Sequence, residues 1–292
     1  MPRGWKGSDP MKNTARLFRR VSALLLCVLL LAVTACTKSG TEPEETTRPD
    51  VKLNKKIVSE IKDRGYLIAG CKMDVEGLGL YDEDTKTWSG LETELAYATA
   101  AKIFEVSPDE AKKQGLVRFK GVTVADRETK LEEGKIDVMM ATYTITKERA
   151  KRFAISDSYY TDYIGIMVLD AKEDSNTIGP KGIKSIADLD GKNVGVAKNS
   201  TTREDLLNYV NTMNSIKVNP MFFEYASYDQ LFEALQNGTI DAFCVDVSIL
   251  NSYDDKTTKV LSDRFAGQHY GAAVLPENAL LLDAVNAAIA EL

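Results

Sequence analysis

A seven-residue phrase occurs twice in this 292-residue chain, and each copy runs into an apolar stretch. Leu131-Glu-Glu-Gly134-Lys-Ile136-Asp137 leads into Val138–Ala141, and Leu235-Gln-Asn-Gly238-Thr-Ile240-Asp241 leads into Ala242–Val245. Each phrase predicts a helix end, a glycine in the left-handed position after it, a tight turn and a buried strand. A second pair follows in the same order. Ile155-Ser-Asp157-Ser-Tyr159 precedes a strand ending Val168-Leu169, and Leu261-Ser-Asp263-Arg-Phe265 precedes one ending Val274-Leu275. The copies are 104 and then 106 residues apart, and Gly65–Lys72 has a looser echo in Gly191–Lys198. Between the strands lie segments with helical apolar spacing: Leu206, Leu207 and Val210; Leu231, Phe232 and Leu235; Leu281, Leu282, Val285, Ala288, Ile289 and Leu292. Strand and helix in alternation predict parallel sheets covered on both faces, so the fold class is α/β, built twice as two similar lobes.

In open α/β sheets ligands sit beyond the carboxyl ends of the strands, and two lobes can bring two such ends together across a cleft. The informative stretches are therefore Cys71–Asp74, Thr142–Arg149, Lys198–Thr202 and Asp246–Ser248. Thr142 and Thr144 alternate with Tyr143, which on a strand turns both hydroxyls to one face. Thr146 can cap a helix that carries Arg149 on its first turn. Hydroxyls plus a planar two-pronged guanidinium suit a carboxylate, against the plainer reading of a solvated Arg in the charged run Lys147–Arg152. Thr201 and Glu204 have capping-box spacing, so this helix start is a cap alone or an anion site. Asp246 follows a strand directly and is either an N-cap or an acceptor for an ammonium group.

Composition excludes several rivals. The formal charge is −6 overall and −11 over residues 36–292, with no basic run beyond the N-terminus, which is unsuited to nucleic acid. The single histidine, His269, leaves little for a His-ligated metal or a Ser-His-Asp triad, so neither metal nor cofactor is expected.

Lys12, Arg16, Arg19 and Arg20 precede Val21–Val33, an uncharged run of 13 residues too short for a membrane-spanning helix. It reads as a secretory signal over residues 1–35, with Met11 as a plausible start. Val33-Thr34-Ala35-Cys36 resembles a lipobox, which would place diacylglycerol on Cys36 and the protein on the outer face of the cytoplasmic membrane. Residues 36–50 then form a polar tether, and the folded body starts near Val51. Cys71 and Cys244 remain in that body, as a disulfide or, preferred here, as two buried thiols.

The ordered series Gly65–Lys72, Ala141–Arg149, Phe153–Tyr160, Ile186–Gly195, Ser200-Thr-Thr202 and Ile240–Asp246 resembles the extracytoplasmic solute-binding proteins of polar amino-acid ABC importers (bacterial solute-binding protein family 3). The likeness covers roughly residues 55–292. It implies a type II periplasmic-binding fold with hinge strands near Ile164–Leu169 and Gln268–Val274. One lobe would comprise residues 51–164 plus 270–292, the other 165–269. The resemblance further implies that Arg149, with Thr144 and the amides of Thr201–Thr202, grips the α-carboxylate of an amino acid. Asp246 would meet the α-ammonium with Thr142 nearby, and Tyr270 would close over it. Lys72 and Arg127, with Ser200–Thr202, look most like the aspartate/glutamate branch, where they would hold the side-chain carboxylate. Arg127 is equally open to a structural ion pair on its helix. Cys71 stands where many relatives for neutral or basic guests have Asp, and Cys244 where an acidic-guest relative has Ser. The family usually continues past Leu292 through a further helix, which implies a truncated chain or an incomplete first lobe.

The implied function is a monomeric lipoprotein, not an enzyme, that binds an amino acid and delivers it to an importer's permease and ATPase. The alternatives are a binder of glutamine, cysteine or cystine, a cyclohexadienyl dehydratase, and a sensor or adhesin.

Overall fold

The structure is a computed structural model that describes residues 52–170, 182–212 and 218–292. The expected signal segment, Cys36 and the tether lie outside the described residues. The first lobe opens with helix α1 (Ile57–Arg64), which ends at Gly65. With φ at +84°, Gly65 returns its amide to the carbonyls of Ile61 and Lys62 and turns the chain into strand β1 (Leu67–Cys71). A small antiparallel sheet follows, β2 (Asp74–Val75), β3 (Gly79–Asp82) and β4 (Thr87–Ser89). Then come α2 (Leu91–Phe104), α3 (Pro108–Lys113), β5 (Val117–Gly121), α4 (Arg127–Glu132), β6 (Val138–Met140) and α5 (Lys147–Arg152). The strand β1 lies between β5 and β6, parallel to both, and α2 covers it with Leu95, Ala96, Ala100 and Ile103.

The long strand β7 (Ala154–Leu169) carries the chain into the second lobe. There β8 (Asn193–Ala197), α6 (Thr202–Thr212), β9 (Met221–Tyr225), α7 (Tyr228–Gln236), β10 (Ala242–Asp246) and α8 (Val247–Tyr253) repeat the strand-helix alternation, with β8 parallel to β9 and β10. After β11 (Thr258–Val260), strand β12 (Phe265–Val274) returns to the first lobe, which closes with α9 (Leu282–Ile289). Gly134 and Gly238, at the ends of α4 and α7, hold φ of +64° and +75°, the left-handed turns that the repeated phrase predicts.

The sheets are mixed rather than wholly parallel. A chain that crosses to a second lobe and returns must run once in each direction, so β7 and β12 pair antiparallel from Ala154 and Val274 to Ile164 and Phe265. Ala273 of β12 joins Met139 of β6, and β7 joins β10 from Met167–Phe243 to Ile164–Asp246. The result is one nine-stranded sheet in the order β5-β1-β6-β12-β7-β10-β8-β9, with β11 on β7. Each lobe has its own apolar core, and a further cluster joins Val75, Leu78 and Val124 of the first to Tyr228, Leu231 and Ile249 of the second. The lobes are thus shut against each other. Cys71 and Cys244 are buried free thiols on β1 and β10, with no disulfide between them, and burial raises both pKa values. Among the described residues no helix is long and apolar enough to cross a membrane.

Gly90 allows the close approach that starts α2. Its φ is +107°, and a Cβ there would lie 2.3 Å from the Leu78 carbonyl oxygen, while the amides of Leu91 and Glu92 bond to Gly77 and Leu78 at 3.0 and 2.9 Å. Gly90→Ala is expected to destabilise the fold by about 1–3 kcal/mol. Urea unfolding measures this, and an unchanged midpoint would contradict it.

Candidate functional site

Beyond β6 the chain leaves the extended conformation, contrary to the expectation that Thr142 and Thr144 share a strand face. Thr142 sits at φ +45°, a left-handed conformation uncommon for a β-branched residue. Two buried groups hold it there. Its amide donates to Glu92 Oε1 at 2.5 Å, and its carbonyl accepts from Arg127 Nη1 at 3.0 Å. The Thr142 hydroxyl is buried without a hydrogen-bond partner. Thr144 forms a bridge with Tyr270, and its hydroxyl donates to Gln268 Oε1 at 2.7 Å.

Thr146 caps α5, its hydroxyl accepting from the Arg149 amide at 3.1 Å. This cap places Arg149 on the first turn facing inward, 7% exposed, rather than in the solvated run. The guanidinium donates to the carbonyls of Thr144 at 2.8 Å and Asn199 at 3.1 Å and lies 4.1 Å from the centre of the Tyr143 ring. Burial, reinforced by the Arg127 charge, lowers its pKa to about 10, still protonated at neutral pH.

In the second lobe Thr201 donates its hydroxyl to Gln268 Oε1 at 3.1 Å rather than serving only its own helix. Asp246 occupies the N-cap position of α8, yet its side chain makes no capping bond. Asp162 on β7 takes that role, its Oδ2 accepting from the Ser248 amide at 3.0 Å. Asp246 instead accepts a hydrogen bond from Tyr270, whose hydroxyl also lies 3.4 Å from Asp162 Oδ2. Burial raises the Asp246 pKa to about 7, opposed by Tyr270, augmented by Asp162, and opposed again by Arg127 and Arg149.

These groups converge. Arg127, Thr142, Thr144 and Arg149 from the first lobe line one small pocket, together with Thr201, Thr202 and Asp246 from the second. Val124, Tyr228 and Ile249 supply apolar wall. Tyr270 stands behind Asp246. Lys72 is not on the wall. It is 1% exposed, its Nζ lies 3.0 Å from Asp74 Oδ1 and 4.4 Å from the centre of the Tyr228 ring, and burial lowers its pKa against the pull of Asp74. Arg127 forms no ion pair among the described residues; its Nη1 bonds to the carbonyls of Ala141 and Thr142, and its Nε is buried without a partner.

Four contributors are absent from the sequence reading: Glu92, Gln268, Asp162 and Tyr228. Glu92 had a detectable signal, since an acid that shares a helical face with Leu95 and Ala96 is out of place unless it is bonded. The other three have no local signal. Chemically, a buried guanidinium and a buried carboxylate facing one small space from opposite lobes complement a guest with one anionic and one cationic end. Among the described residues no group of His, Cys, Asp and Glu is placed to hold a metal ion.

Asp246 binds its proton more tightly in the folded, guest-free protein than at its ordinary carboxyl value of 3.8. Its contribution to stability is therefore fully present below about pH 4 and lost as pH rises through about 7. Asp246→Asn is expected to shallow the fall in melting temperature between pH 4.5 and 7. Parallel curves for the two proteins would contradict this.

A model of the bacterial extracellular solute-binding proteins, family 3, matches residues 67–292. The glutamine-binding protein of Geobacillus stearothermophilus is 30% identical over 85% of this chain and 89% of its own length. The glutamate-binding protein GluB of Corynebacterium efficiens is 23% identical over 94% of this chain and 86% of its own. Among solved structures, an ancestral arginine-binding protein bound to glutamine superposes with a TM-score of 0.60 at 30% identity, covering 78% of this chain and 92% of that one. The two-lobe architecture is the type II periplasmic-binding fold, and the chain belongs to the bacterial extracellular solute-binding proteins, family 3.

Proposed function

We propose that this protein captures a polar amino acid between its lobes, with glutamate or aspartate as the guest, and delivers it to an ABC importer. The observation that carries this reading is the pair Arg149 and Asp246, which face one buried cavity from opposite lobes. In this reading Arg149, Thr144 and the amides of Thr201–Thr202 take the α-carboxylate. Asp246, oriented by Tyr270, takes the α-ammonium with Thr142 beside it. Arg127, with a spare Nε, takes a side-chain carboxylate, and Lys72 supports it from behind Tyr228. The first lobe is assigned residues 51–164 and 270–292 and the second 165–269, with the hinge in the paired segments of β7 and β12. Lipid on Cys36 would tether the monomer outside the cytoplasmic membrane, within reach of the permease. The guest leaves unchanged, so product formation from prephenate or arogenate would contradict this reading.

A second reading, glutamine, draws support from Lys72. Its charge is already matched by Asp74 at 3.0 Å, which leaves less positive charge behind the cavity to hold a second carboxylate. The relatives include binders named for each guest.

A thermal-shift screen of the twenty amino acids, followed by calorimetry, tests the assignment. Arg149→Ala is expected to weaken binding by about 3–4 kcal/mol, or about two to three decades, because the guest's carboxylate is left buried and unpaired. Near-normal affinity would remove Arg149 from the site. Lys72→Met is expected to reduce glutamate and aspartate binding more than glutamine binding; equal losses would count against its reading the side chain.

A further inference from the structure

Glu92 is the one fully buried carboxyl near the cavity that the proposed recognition leaves unused. It sits in the first turn of α2, 0% exposed. Its Oε1 accepts from the Thr142 amide at 2.5 Å and from the Tyr159 hydroxyl at 2.7 Å. Its Oε2 is buried without a partner. A methyl group on Gly79 would lie 2.9 Å from that oxygen and 2.7 Å from the Lys72 carbonyl, so only glycine at this position leaves room for Glu92 beside β1.

We propose that Glu92 decides whether the guest's side chain is a carboxylate or a carboxamide, by holding a proton on its free oxygen when the guest brings a second negative charge. This inference rests on the amino-acid reading above and deepens it. The argument is one of charge in a dry space. Around the cavity stand three cations, Lys72, Arg127 and Arg149, and four carboxyls, Asp74, Glu92, Asp162 and Asp246, besides the Glu128–Arg152 pair. A guest that is only a zwitterion adds no net charge to this set. A guest with a second carboxylate adds one negative charge that the buried set cannot absorb cheaply.

One carboxyl must then be neutral, and the neighbours decide which. Asp246 faces the guest's ammonium, and Asp74 faces Lys72 with 23% of its side chain exposed. Asp162 accepts from the amides of Tyr163 and Ser248, and Glu128 pairs with Arg152 at 2.6 Å. Glu92 lies near Lys72, Arg127, Tyr159 and the Cys71 thiol, and its second oxygen accepts no hydrogen bond that a proton there would break. Burial already raises its pKa to about 7, against the bonds from Thr142 and Tyr159 and the charges of Lys72 and Arg127. A second carboxylate beside Arg127 raises it further, so glutamate binding takes up a proton and glutamine binding does not.

The test is calorimetric titration of glutamate and glutamine between pH 6 and 8.5, read as the ratio of their dissociation constants. Any proton released from Asp246 is common to both guests and cancels in the ratio. In the unaltered protein the glutamate-to-glutamine ratio is expected to rise with pH, by up to about tenfold per pH unit above neutrality. In Glu92→Gln, where the amide oxygen can still accept from Thr142 and Tyr159, the ratio is expected to be flat. Titrations of the unaltered protein in two buffers of different ionisation enthalpy give the proton count without any variant, and glutamate is expected to take up more protons than glutamine near neutrality. A flat ratio with equal proton counts overturns the role of Glu92 while leaving the amino-acid reading intact, as does a slope that persists in Glu92→Gln. Failure of both guests to bind at every pH overturns the amino-acid reading, and this inference with it.

Discussion

Everything in this molecule depends on the cost of keeping Arg149 and Asp246 out of water. Each is nearly buried at the seam of the two lobes, and they form no ion pair with each other. Each has been relieved of an ordinary structural task. Thr146 caps α5 and fixes Arg149 in place, and Asp162 caps α8 so that Asp246 need not. Arg149 has only Glu128 at 3.9 Å and two carbonyls, and Asp246 only the Tyr270 hydroxyl, so buried charges this weakly compensated oppose closure and a guest carrying the two complementary charges favours it. In the proposed function closure and recognition are one event, with the differential binding free energy as its driving force.

In the same proposal the strands assigned as the hinge take part in that event. Tyr270 and Gln268 lie on β12 and Asp162 on β7, the two strands that join the lobes. The Gln268 amide accepts from Thr144 in the first lobe and Thr201 in the second and donates to Asp205 Oδ2 at 3.0 Å. Asn199, at φ +63°, accepts from Arg149 and donates to the Ala125 carbonyl. The lobes are therefore tied by polar contacts around the cavity and by apolar ones at Val75, Leu78 and Tyr228.

Much of this was legible locally. Helix ends with Gly134 and Gly238, the strands after them and the Thr146 cap all follow from short stretches whose physics is complete within a few residues, whereas the inward Arg149 needs the repeat and the family resemblance to be chosen over a solvated one. The rest depends on contacts between distant parts of the chain. Thr142 adopts a left-handed backbone because Glu92, fifty residues earlier, accepts from its amide. Asp246 is free because Asp162, on another strand, caps its helix. Lys72 is a buried partner of Asp74 rather than an open cation, a distinction that pairing geometry alone makes. Neighbouring residues carry no trace of such arrangements, and the antiparallel hinge pair that merges both sheets is likewise set by the path of the chain between lobes.

The central claim is that both charged ends of one guest are needed at once. Calorimetry with glutamate, its α-amide and its N-acetyl derivative tests this most directly, since all three keep the same side chain. Each modified compound is expected to lose about two decades of affinity or more, because one buried charge is left without a counterpart. Binding of either derivative as tightly as glutamate would show that its missing charge meets no partner, and the account of a cavity built around a zwitterion would fail.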